Sequence, residues 1–106
     1  MTIIVVGARF KAAYELYAHA ATAEKEGMDA TKIATLAAGG RPSDLTPEEA
    51  CAFDVATALL DGGVLPGATY RAACDLLGQP ALNELVFWIS TYAMVSITLN
   101  AFDVPS

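Results

Sequence analysis

Apolar residues recur at three- and four-residue spacing through most of this chain, as in Phe53, Ala56, Leu59 and Leu60. That is the period of a helix with one buried face. Glycine and proline punctuate the pattern. Lys11 to Glu26 reads as a helix ended by Gly27, and a short helix from about Ala30 to Ala38 closes at Gly39-Gly40. After the loop Arg41 to Leu45, Thr46-Pro47-Glu48-Glu49 predicts a helix start: Thr46 as N-cap, proline at N1 and a glutamate at N3 to complete a capping box. This helix runs to Leu60 and stops at Gly62-Gly63. Another spans Pro66 to Leu77 and ends at Gly78, and Gln79-Pro80 opens the longest, reaching about Phe102.

The first segment is the exception. Thr2-Ile3-Ile4-Val5-Val6 has strand propensity, and Gly7-Ala8-Arg9 after it resembles the opening of a nucleotide-binding βαβ unit. Only the first glycine of that fingerprint is present and no second parallel strand follows. The segment is therefore read as a helix buried by its neighbours. The expectation is an all-α fold, a compact bundle of about five to six helices forming one domain over residues 1–106.

Composition adds an interface to this picture. Of 106 residues, 55% are hydrophobic and 17% charged, against roughly 25% charged in an average domain. So short a chain has too much surface to hide that apolar area, which implies a homo-oligomer. The longest apolar stretch, Leu85 to Leu99, includes Ser90, Thr91, Ser96 and Thr98 and falls short of the roughly 20 apolar residues of a spanning helix. No basic n-region precedes Thr2, and two cysteines make no disulfide framework. The expected location is cytoplasmic, without a membrane partner. Net charge is −6 with six scattered basic residues, which excludes the clustered positive stripe that nucleic acid requires.

Candidate chemistry centres on Glu15 and His19, one helical turn apart on the face shared with Ala12 and Ala23. An imidazole beside a carboxylate moves protons near neutral pH. Two readings stand: an exposed ion pair worth roughly 0.3–0.5 kcal/mol, or a proton-transfer couple lining a cleft between small alanines. Tyr14 has its own pair of readings, a ligand-binding hydroxyl or an amphipathic core residue, while Tyr17 lies on the other side. Arg9 is either a bidentate carboxylate clamp or a solvated charge. In the last helix Ser90, Thr91 and Tyr92 offer polar groups to a pocket, or bond to the backbone one turn back. Cys51 and Cys74 read as buried small hydrophobes. One histidine and two remote cysteines do not make a zinc set, so no metal is expected. No phosphate loop, nucleophile elbow or Cys-x-x-Cys is present.

Tyr14-Glu15-Leu16-Tyr17-Ala18-His19, followed by Ala23-Glu24-Lys25-Glu26-Gly27-Met28, resembles the "YEWYAH…A…AG" segment of the carboxymuconolactone decarboxylase family, which shares the alkylhydroperoxidase D-like fold. Lys32 to Leu36 is similar to its short "I-x-A-L" helix, and Leu45-Thr46-Pro47-Glu48-Glu49 to its "LSPEE" start. Tyr70 to Gly78 is similar to "Y-x-x-L-x-x-x-x-G", and Leu99-Asn100-Ala101-Phe102-Asp103-Val104-Pro105 to the closing "LNAFGVP". The likeness runs through nearly the whole chain. It implies an all-helical fold assembled as homotrimers or homohexamers.

The peroxidase branch of that family uses Cys-x-x-Cys, three further residues and a histidine, with an upstream glutamate as relay. Laid on this chain, the cysteines fall at Ala12 and Glu15 and the histidine at His19, which removes thiol peroxidase chemistry. The upstream glutamate falls at or before Met1, the helices preceding this point in longer members have no counterpart, and the "YYN" of many relatives reads Thr91-Tyr92-Ala93. The decarboxylase branch implies cofactor-independent acid–base chemistry on a small carboxylated or carbonyl compound. His19 would be the proton donor and Glu15 its partner, with Arg9, Tyr14 and Tyr92 binding substrate. The competing class is a non-catalytic small-molecule-binding or structural oligomer of the same fold.

Overall fold

Five helices are seen among the described residues. The computed structural model describes residues 2–10 and 24–102, with side chains described over 5–9 and 24–102; Tyr14, Glu15 and His19, with most of the helix expected over Lys11–Glu26, lie outside the described residues. The helices are α1 (Thr2–Phe10), α2 (Ala30–Ala37), α3 (Pro47–Leu60), α4 (Gly67–Leu77) and α5 (Gln79–Ala101). Among the described residues the fold is all-helical, without strands.

The helix ends are built as the punctuation predicts. At α3 the Glu49 backbone N–H donates to Thr46 Oγ1 (3.2 Å) and the Thr46 N–H donates to Glu49 Oε1 (3.0 Å), a reciprocal capping box with Pro47 at the first turn. Asp29 caps α2 by accepting from the Thr31 N–H. The chain leaves a helical turn at Gly27, Gly39, Gly62 and Gly78, each with positive φ.

α1 begins with β-branched residues yet forms a helix through Gly7. It packs chiefly on α5 and also touches α3 and α2, leaving Val5 and Val6 buried. Arg9 falls in the last turn of α1. The core joins Val6 to Leu36 of α2, Val55 and Ala56 of α3, Ala73 of α4, and Leu82 and Ile89 of α5.

α5 has the bounds that the sequence predicts, Gln79 to about Phe102, and so is longer than the apolar stretch Leu85 to Leu99 within it. Polar residues from Gln79 to Glu84 and at Asn100 extend the apolar stretch into a 23-residue helix, about 34 Å at 1.5 Å per residue. Its best 18-residue window has a mean hydropathy of 1.3 with 17% of the window buried, so by length and composition this helix is long and apolar enough to cross a membrane. Its inward face, however, carries Leu82 and Ile89 into the core of the globule.

A two-arginine cavity as candidate functional site

Val5 and Arg9 stand one turn apart on α1, so they share a face. Phe53, Thr57 and Leu60 do the same along α3 at four- and three-residue steps. Between these faces, closed by Leu36 and the turn Gly39-Gly40-Arg41 that follows α2, lies a cavity of about 250 Å³. Val5, Leu36, Phe53 and Leu60 make its wall largely apolar. Arg9 and Arg41 bring positive charge to it from different elements.

Each arginine has an aspartate partner on α3 or at its end. Arg9 pairs with Asp61, the C-cap residue of α3. Arg41 Nη2 lies 3.4 Å from Asp54 Oδ1, and its guanidinium carbon sits 5.6 Å from the centre of the Phe53 ring. The side chains of both pairs are roughly half exposed, at 44–55%. Pairs this wet contribute at most about 1 kcal/mol. An incoming carboxylate, bound bidentately and partly desolvated, competes for such an arginine on favourable terms.

The sequence-derived candidates separate here. Arg9 reaches the cavity. Tyr92 does not: it is half-buried on α5, stacks on Trp88 with ring centroids 5.7 Å apart, and is absent from the cavity wall. Ser90 and Thr91 take the backbone option, donating to the Val86 and Phe87 carbonyls at 2.9 and 2.8 Å. Arg41, Phe53 and Thr57 were missed as site residues. The spacing of Phe53 and Thr57 carried a signal, since they fall on one helical face with Leu60. Arg41 is in a loop and carried none.

The cysteines are both free. Cys51 is buried and burial pushes its thiol pKa up, with Asp54 adding to the effect. Cys74 is half-buried and donates to Gln79 Oε1 (3.4 Å). Among the described residues no group of three or more His, Cys, Asp or Glu side chains is arranged to hold a metal ion. No family model, curated protein or solved structure matches this chain.

Proposed function

We propose that this protein is a homo-oligomeric relative of the carboxymuconolactone decarboxylases that performs cofactor-independent acid–base chemistry on a small carboxylated or carbonyl compound. The observation that supports the reading is Arg9, at the end of α1, on the wall of an apolar cavity of about 250 Å³. An apolar pocket with a few convergent polar groups is the usual form of a small-molecule site.

In this reading Arg9 exchanges Asp61 for the anionic group of the ligand, and the apolar wall receives its carbon skeleton. Loss of carbon dioxide breaks a carbon–carbon bond and leaves its electron pair in an extended enolate. His19 returns a proton to carbon, and Glu15 favours the imidazolium form that supplies it. Water then reprotonates the histidine.

A second reading, binding without catalysis, has its own support. The polar side chains among the described lining residues are Arg9, Arg41 and Thr57, and none of these exchanges a proton near neutral pH. The two readings part on His19. Acid–base catalysis requires His19→Ala to abolish turnover of a carboxylated substrate while leaving its affinity within a few fold. Affinity intact in a wild type that turns over no carboxylated substrate leaves binding alone. Loss of ligand-induced thermal stabilisation in Arg9→Leu is expected under both, and full retention of binding in that variant sinks both.

A further inference from the structure

Arg41 is a loop residue, yet its loop is tied down on both sides. The backbone N–H groups of Gly39 and Gly40 turn back to the carbonyls of Leu36 and Thr35, at 3.0 and 2.9 Å, and close the end of α2. Gly39 takes a left-handed φ of 85°. A Cβ on Gly40 would stand 3.1 Å from the Thr35 methyl, so the turn lies tight on its own helix. Pro42, which follows, is buried. The side chain then reaches α3, where its guanidinium lies within cation–π range of the Phe53 ring and 3.4 Å from Asp54 Oδ1.

That approach to Asp54 is long for a charge-assisted hydrogen bond, which runs about 2.7–2.9 Å. Charge and the aromatic ring, rather than a directed bond, hold the guanidinium. Its fork of N–H groups can therefore serve an acceptor in the cavity while Arg41 stays on α3. A carboxylate is poorly suited to that place. With Asp54 kept, it sets a second negative charge on one guanidinium; with Asp54 displaced, Arg41 loses its charge partner on α3. The net charge of −6 on the chain adds to the cost of a second anionic group. A neutral carbonyl oxygen meets none of these obstacles.

We propose, on the reading that Arg9 receives a carboxylate, that Arg41 is the specificity-determining residue of this cavity and that the ligand is a small oxo acid with one negative charge. Its carboxylate goes to Arg9 and its carbonyl oxygen to Arg41, with the carbon skeleton on Val5, Leu36 and Leu60. A cavity of about 250 Å³ has room for about eight waters at about 30 Å³ each, which sets the ligand at about that number of non-hydrogen atoms. Where carbon dioxide leaves the carbon next to such a carbonyl, the bonding electron pair passes to the carbonyl oxygen as an enolate, and carbon then takes a proton. Arg41 donates to that oxygen in both states, and more strongly to the charged one.

Calorimetric titration of the full chain at neutral pH with pentanoate, 4-oxopentanoate and glutarate tests this, since the three share a chain length and differ in the group far from the first carboxylate. The oxo acid is expected to bind at least about tenfold more tightly than either of the others. Arg41→Met is expected to bring it to within about twofold of pentanoate while the affinity for pentanoate itself is unchanged, with the same circular dichroism. Asp54→Asn supplies an independent check: it keeps the preference for the oxo acid over pentanoate and raises glutarate affinity at least about fivefold, because the competing carboxylate is gone. Arg9→Leu is expected to weaken all three.

Glutarate bound by the wild type as tightly as 4-oxopentanoate overturns the proposal. So does a loss in Arg41→Met shared equally by pentanoate and 4-oxopentanoate, glutarate affinity unchanged in Asp54→Asn, or no binding of 4-oxopentanoate at about 10 mM. If Arg9→Leu weakens all three acids and Arg41→Met changes nothing, the role of Arg41 fails and that of Arg9 stands. If Arg9→Leu leaves every affinity intact, both fail.

Discussion

Thr46 and Glu49 show how much one local interaction can hold. Glu49 accepts the Thr46 backbone N–H and also meets Lys32 Nζ at 3.2 Å, tying the start of α3 to α2. The Thr46 backbone bond, with Lys32 second, holds the Glu49 carboxyl below its ordinary 4.5. A carboxyl with a depressed folded-state pKa contributes stability above its unfolded value and loses it as pH falls through the folded one. Thr46→Ala is expected to cost about 1 kcal/mol by denaturant melts near neutral pH. Between about pH 5 and pH 3 the wild type should lose more stability than Glu49→Gln, which has no such proton to take up. Ser96 gives the opposite expectation. Its hydroxyl is fully buried on α5 without a hydrogen-bond partner among the described residues, so Ser96→Ala should leave stability unchanged or raise it by up to about 1 kcal/mol. A loss above that range would show that the hydroxyl is satisfied in solution.

At the level of elements, the corner between α4 and α5 rests on a single residue. Gly78 ends one helix and caps the next, with φ 87° and ψ 155°, a backbone region essentially closed to residues with a Cβ. Beside it Tyr70 donates to Gln79 Oε1 at 2.9 Å, the same oxygen that accepts from Cys74. Gly78→Ala is expected to lower stability by about 1–3 kcal/mol through strain alone, since only Pro80 Cδ, at 3.9 Å, lies near the added methyl. Equal stability by calorimetry would mean the corner relaxes freely. This break was legible in the sequence because a Gly-Gln-Pro run admits few other structures. So were the α3 capping box and the ends of α2 to within a residue. The length of α5 was legible too, from Gln79-Pro80 to about Phe102, because a proline in the first turn marks a helix start whatever the hydropathy that follows.

Across the whole molecule, α1 is where local preference and final structure disagree. Its β-branched residues favour a strand by propensity, but contact with α5, α3 and α2 buries Val6 completely and makes a helix the better solution. Val6→Ala is therefore expected to cost about 2 kcal/mol, read as a lower denaturant midpoint with an unchanged slope. A negligible change would mean that α1 is not part of the cooperative core. The same packing carries Arg9 to the cavity and sets it across from Arg41, thirty-two residues away in sequence.

The sequence by itself determined the helical class, most helix boundaries and the apolar excess, because capping, glycine breaks and three-to-four spacing act over a turn or two. It also singled out Arg9, though not what surrounds it. Tertiary structure alone decided which helices bury α1, and that Arg41 and Phe53 join Arg9 around one cavity while Tyr92 does not. Each of these depends on contacts between elements far apart in the chain, whose geometry no local pattern encodes.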